Sequence, residues 1–188
     1  MKGYDSMSDE NGRDYEDDFI DDIQKYEYEK MVEKARTIVL ATAASTGVTG
    51  AIPIPFADAP IMIAEEVAMM IGINAVFKFE VKKDILKSLV LAALGTSGAT
   101  VIGKTVASNL LKLIPVAGSV TGAAVSGGTG ALIAFLFGNA YIEVCKAVKM
   151  GKLTLDDLAK KKGKEAMKTA FKEQMKKKKE EPGGKGLT

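Results

Sequence analysis

One stretch of the chain has the residue types and spacing for phosphate chemistry. Gly98-Ala99-Thr100-Val101-Ile102-Gly103-Lys104-Thr105 fits the pattern G-x-x-x-x-G-K-[ST] in full. In a working loop of this kind backbone N–H groups cradle phosphates, the lysine reaches the β- and γ-phosphates and the hydroxyl binds Mg²⁺. Those roles would fall to Gly98, Gly103, Lys104 and Thr105. The chemistry needs a strand before the loop and a helix after it. Leu89 to Leu94 is the candidate strand, yet it is rich in Leu and Ala and continues a helical pattern that starts near Lys82. No apolar strand ending in Asp follows. The alternative is that Gly98 and Gly103 allow close helix packing while Lys104 faces solvent. The match is judged fortuitous, no cofactor is expected, and a P-loop nucleotide-binding protein is kept as the alternative reading.

The other reactive groups are sparse. The chain has no His and a single Cys, Cys145. That excludes an internal disulfide, His-based acid–base catalysis and the usual thiolate–imidazole zinc site. Glu65 and Glu66 are adjacent, so on a helix they diverge by about 100° and do not make a facing carboxylate pair. A di-metal carboxylate bundle would call for Glu-x-x-His. No catalytic residue and no metal site is assigned, and the chain is read as a non-enzyme. Cys145, in an Ile-Glu-Val-Cys-Lys-Ala context, is read as a structural thiol.

Charge is distributed unevenly. Residues 1–30 hold 11 acids and 4 bases, residues 31–145 hold 7 acids and 8 bases, and residues 146–188 hold 6 acids and 14 bases, all Lys. The net charge of +2 conceals an acidic head, an apolar body and a basic tail. Such asymmetry points to an electrostatic partner, or to head-to-tail contact within or between molecules. Lys160, Lys161, Lys162, Lys164, Lys168, Lys172 and Lys176, with Phe171 as the one aromatic of the tail, form the candidate contact surface for an anionic membrane or an acidic partner. Sequence-specific reading of nucleic acid is not expected, because no Arg follows Arg36. The acidic N-terminus is unlike a secretory leader. A cytoplasmic, reducing setting with membrane association is the expectation.

Helices must position these groups. Residues 1–14 are polar and expected to be disordered. A helical pattern starts near Tyr15, with Phe19, Ile23, Tyr26 and Lys30 at 3–4 spacing and Tyr28, Met31, Val32 and Ala35 beside them. No charge occurs from Thr37 to Ala57. Pro53 and Pro55 end that helix, and Asp58 caps the next, with Pro60 in its first turn. This second helix, about 59–77, is apolar on nearly every face. A third runs from about Ile85, is broken or kinked near Gly95 to Gly98, and resumes through Leu113. Ile114-Pro115-Val116-Ala117 repeats the Ile-Pro-(Phe/Val)-Ala corner, and Ser119 caps a long segment, about 119–150, whose first half is rich in Gly. Thr154 caps a last amphipathic helix, about 155–178. No segment shows sustained period-2 alternation. The expected fold is all-α: a bundle of two pseudo-repeated helical hairpins (15–150) plus a basic C-terminal amphipathic helix (151–180) and a loose tail (181–188). The uncharged run from Leu113 to Ile142 is long enough to cross a bilayer, but a buried hairpin is preferred.

Three blocks carry a family likeness: Ala51-Ile52-Pro53-Ile54-Pro55-Phe56-Ala57-Asp58-Ala59-Pro60, then Gly103 to Pro115, then Gly138-Asn139-Ala140-Tyr141-Ile142. In this order the chain resembles the YcjF-like, GTPase-associated helical domain, domain-of-unknown-function family 697, over about residues 35–150. The resemblance implies a helical module that accompanies a GTPase domain or a membrane. It also implies that Gly103-Lys104-Thr105 belongs to a helical block. No Asn-Lys-x-Asp base-reading motif of a GTPase domain is present, so a GTPase-domain partner would act in trans. The reading is a non-enzymatic module binding a membrane surface and/or a separate GTPase. A homo-oligomer is allowed, and a membrane-inserting or self-assembling structural protein is a further alternative.

Overall fold

A computed structural model describes residues 15–49, 59–94 and 122–180. All its regular structure is helical: α1 (Tyr15–Thr49), α2 (Ala59–Phe77), α3 (Lys83–Leu94), α4 (Gly122–Lys149), the single turn α5 (Leu155–Leu158) and α6 (Lys161–Glu180). The all-α expectation holds, and α2 spans the expected 59–77. Pro60 lies in its first turn. Pro53, Pro55, Asp58, Pro115 and Ser119 lie outside the described residues, as does the stretch expected to resume the third helix.

Helix α1 has two apolar stripes in sequence, and only one is used. Val32, Ala35, Val39, Ala43 and Thr46 are buried at 3–4 spacing. The competing stripe of Ile23, Tyr26 and Lys30 is exposed. The buried stripe lies along α4. A Cβ placed on Gly138 would sit 2.5 Å from Val39 Cγ2 and 2.8 Å from Met69 Sδ, and one on Gly130 would sit 3.2 Å from Thr46 Cγ2. Positions rise along α1 as they fall along α4, so the two helices are antiparallel. Gly138 is thus a three-helix crossing, where α1, α2 and α4 approach as closely as a missing side chain allows.

Helix α4 is the centre of the molecule. It packs on α1, α2 and α6, and α3 closes the far side against α2 and α6. Met70, Ile73, Phe77, Leu86, Leu89, Phe137, Tyr141, Met167 and Phe171 are fully buried in one continuous core. The Phe137 and Phe171 rings lie 6.0 Å apart. The basic segment 151–180 is therefore part of the same core, not an appendage to it.

The turns follow local chemistry. Helix α2 ends with Lys78 at φ 59 and Phe79 N–H bonded to the Asn74 carbonyl at 2.9 Å. Helix α4 ends the same way, with Gly151 at φ 69 and Lys152 N–H bonded to the Ala147 carbonyl at 2.9 Å. Both are Schellman ends, which favour a left-handed residue at this position. Thr154 caps α5 as expected, through a full capping box with Asp157. The sequence suggests one continuous helix from 155, but the chain breaks at Ala159 and Lys160. Gly163 explains how the pieces fit: a Cβ there would sit 2.5 Å from Leu158 Cα.

Candidate functional site

The phosphate-loop match, Gly98 to Thr105, lies outside the described residues. Among the described residues no group of three or more Asp, Glu, Cys or His side chains could hold a metal ion. The groups with unusual chemistry are instead buried between α2 and α4. Tyr141 donates its hydroxyl hydrogen to Asn74 Oδ1 at 2.7 Å, and both residues are buried. Cys145, one turn further along α4, is also buried, and burial pushes its thiol up to about 12. Such a thiol stays protonated and is a poor nucleophile.

Glu66 is the exception to orderly pairing. It lies on the buried face of α2 with Met69, Met70, Ile73, Asn74 and Phe77, and is 2% exposed. Its Oε2 has no hydrogen-bond partner among the described residues. Burial, with a smaller contribution from the neighbouring Glu65 carboxylate, raises its pKa to about 8. A buried carboxyl without a positive partner stays protonated at neutral pH. The adjacent pair is thus divided: Glu66 is neutral and internal, while Glu65 is half-buried.

The lysines of the expected contact surface sit on α6 and the turn before it. Lys160, Lys161, Lys162, Lys172 and Lys176 are exposed, and Lys164 and Lys168 are half-buried. Phe171 corrects the expectation: it is fully buried beside Phe137, so it anchors α6 to the core and does not face a partner. An amphipathic helix that ends a domain buries its one aromatic residue in the core it covers. Lys162 pairs with Asp157 at 2.8 Å, and that hydrogen bond, with one from the Thr154 backbone, lowers the Asp157 pKa.

The antiparallel packing sorts charge along the bundle. Thr49, Ala59, Leu94 and Gly122 mark one end, here called the tip. Lys78 to Lys83 and Lys149 to Lys161 mark the other, the arm end. Near the tip, α1 from Thr37, α3 from Ser88 and α4 up to Ile142 carry no charged residue, and α2 carries only Glu65 and Glu66. Side chains facing outward here include Leu40 and Ile71, with Ala41, Ala44, Ala64 and Ala68. Among the described residues the C-terminal half of α6 also reaches this level, with Lys172 and Lys176 to Lys179 outnumbering Glu173 and Glu180, and with Lys176 paired to Glu180 at 3.8 Å. At the arm end an open depression of about 410 Å³ lies where α1 leaves α4, lined by Tyr26, Tyr28, Glu29, Lys30, Val32, Glu33, Arg36 and Lys146. This charge segregation was not visible in the sequence, because it depends on which helix ends meet.

Comparison with known proteins gives a family and is silent on activity. The chain matches the family described as "Domain of unknown function (DUF697)" over residues 15–180, and it belongs to that family. The match is longer than the 35–150 carried by the three sequence blocks, and it takes in α6, in accord with the shared core. Neither the curated proteins nor the solved structures contain a match.

Proposed function

We propose that this member of the family is a non-enzymatic helical module that binds an anionic membrane surface through the tip of its bundle and the lysines of α6 beside it. The observation that carries this reading is the segregation of charge. Uncharged surface on α1 and α2 gathers at one end, and Lys172, Lys176 and Lys177 stand on the helix that reaches that end. An apolar face flanked by lysines is the arrangement that combines burial in acyl chains with attraction to anionic headgroups. Glu66 supports it further, since a buried, protonated carboxyl adds no charge to the uncharged zone.

Flotation with vesicles of about 30% phosphatidylserine in phosphatidylcholine, compared with phosphatidylcholine alone, tests the reading at low and high salt. Binding is expected to the anionic vesicles only, to weaken with salt, and to fall in Lys172→Glu/Lys176→Glu/Lys177→Glu. Equal flotation of that variant, or no binding to either vesicle, removes the proposal. A pull-down that instead returns a GTPase, with no vesicle binding, would assign the module to a GTPase partner in trans.

A further inference from the structure

Among the described residues, the first turns of α1 extend as an arm beyond the end of α4. Tyr28 lies beside α4, near Glu143 and Lys146, and Tyr26 lines the depression that also holds Lys146. By the antiparallel register, residues 15–27 run past the end of α4 for about 20 Å at 1.5 Å per residue. The helix contains no Gly or Pro from Tyr15 to Thr46, so nothing in it invites a fold back onto the bundle. Over residues 15–29 it carries seven acids against one lysine. The end of the bundle from which it projects is its electrostatic opposite. Residues 78–87 and 143–165 together carry eleven lysines against six acids.

The exposed apolar side chains fall in the same two places. Six large hydrophobic residues are exposed among the described residues, and four of them belong here: Ile23 (44%) and Tyr26 (61%) on the arm, Met150 (53%) and Leu155 (37%) on the basic end. Tyr26 stays open to solvent even with Lys30 Nζ 5.5 Å from its ring centre. An acidic helix with apolar anchors and a basic surface with apolar anchors are complementary. Within one molecule all four side chains remain exposed, so neither pair covers the other.

We infer that two copies of this chain associate through their arm ends, the acidic arm of each lying across the basic end of the other. Ile23 and Tyr26 of one copy meet Met150 and Leu155 of its partner, within a surround of carboxylates and lysines. Each copy supplies both an arm and an end, so the contact is isologous and closes at two. The four apolar side chains add a small buried centre, and attraction between the acidic arm and the basic end supplies the rest of the affinity and the orientation, so the contact is sensitive to salt. This contact uses the end opposite the tip and does not depend on the membrane reading.

Mass measurement by light scattering at about 100 μM protein tests it. A dimer, twice 19.9 kDa, is expected at low ionic strength and a monomer at high ionic strength. Two charge reversals give the decisive arm. Glu16→Lys/Asp17→Lys/Asp18→Lys/Asp21→Lys/Asp22→Lys leaves the arm with two acids against six lysines and so sets a basic arm against a basic end. Lys82→Glu/Lys152→Glu/Lys160→Glu/Lys161→Glu leaves the end with seven lysines against ten acids and so sets an acidic arm against an acidic end. Each variant alone is expected to be monomeric, and an equimolar mixture is expected to form the heterodimer, because both of its contacts are then matched. If circular dichroism shows the arm variant losing helix, Tyr26→Cys/Leu155→Cys on the natural charges decides instead, by giving a covalent dimer under mild oxidation. A wild-type chain that is monomeric at both salt levels, or a dimer that survives either reversal unchanged, overturns the inference.

Discussion

Glu66→Gln should make the protein more stable, and by an amount that grows with pH. The Glu66 side chain is 2% exposed and its pKa rises from 4.5 to about 8 in the folded protein. The unfolded chain therefore releases this proton first. Stability is fullest below the unfolded value near 4.5, falls as pH rises through the window to about 8, and is flat above it. At 1.36 kcal/mol per unit, the full loss is on the order of 5 kcal/mol, about half of it between pH 5 and 7. Typical domains have only about 5–15 kcal/mol of stability in total, so the effect is large. Glutamine has nearly the same shape and cannot ionise. The measurement is the urea midpoint of wild type and variant at pH 5, 7 and 9, with the difference between them read against pH so that other titrating groups cancel. The gap is expected to widen by about 4 kcal/mol from pH 5 to 9. A gap that stays constant over that range would refute the reasoning, since it would mean that the folded protein solvates or pairs the Glu66 carboxylate.

Two other substitutions test the backbone geometry. Gly138→Ala should destabilise by about 1–3 kcal/mol in chemical denaturation, because its Cβ would meet Val39 Cγ2 at 2.5 Å and a branched side chain cannot swing away. An unchanged midpoint would mean that α1, α2 and α4 do not cross there. Lys78→Gly should stabilise by about 1 kcal/mol, because Lys78 holds φ 59, which costs an L-residue with a Cβ but not glycine. A lowered thermal midpoint would place the end of α2 in a different conformation.

The parts of the fold legible in the sequence are those fixed by single residues with one physical meaning. Pro60 reads as a first-turn residue and α2 does begin at Ala59, and Thr154 reads as a cap and does cap α5. What escaped depended on choices between equals. On α1 the stripes beginning at Ile23 and at Tyr28 are both apolar, and only the position of α4 selects the second. Helix α2 is apolar all round, so the sequence could not tell which of Glu65 and Glu66 is internal. Phe171 shares the apolar side of the last helical segment with Leu158, Met167 and Ala170, opposite the lysines, and that side is the one the core covers, so its place in the contact surface with the lysines does not hold. The break at Ala159 and Lys160 had no signal until Gly163 was seen against the Leu158 backbone. For the candidate site, the lysines of α6 were readable as a cluster. The sorting of charge to opposite ends was not, because it arises from antiparallel pairing of segments far apart in sequence.

That pairing also bears on how the protein would meet a bilayer. Within α4, Gly130–Lys149 is long and apolar enough to cross a membrane by length and composition, but half of it is buried against other helices. Leu136, Phe137, Ala140, Tyr141, Ile142 and Val144 are all within the core, and the Tyr141 hydroxyl is bonded to Asn74 on α2. To span, α4 would have to give up those contacts, and Asn74 would lose its partner, a cost of roughly 1–3 kcal/mol for that group alone. Lipid would return little, because side chains already removed from water gain nothing further from hydrocarbon. Among the described residues, the large apolar side chains exposed toward the tip belong to other elements: Leu40 on α1 and Ile71 on α2, with small uncharged residues around them. The apolarity of α4 is spent on protein and that of the tip is not, so shallow embedding of an intact bundle is the mode of membrane contact that leaves this fold whole.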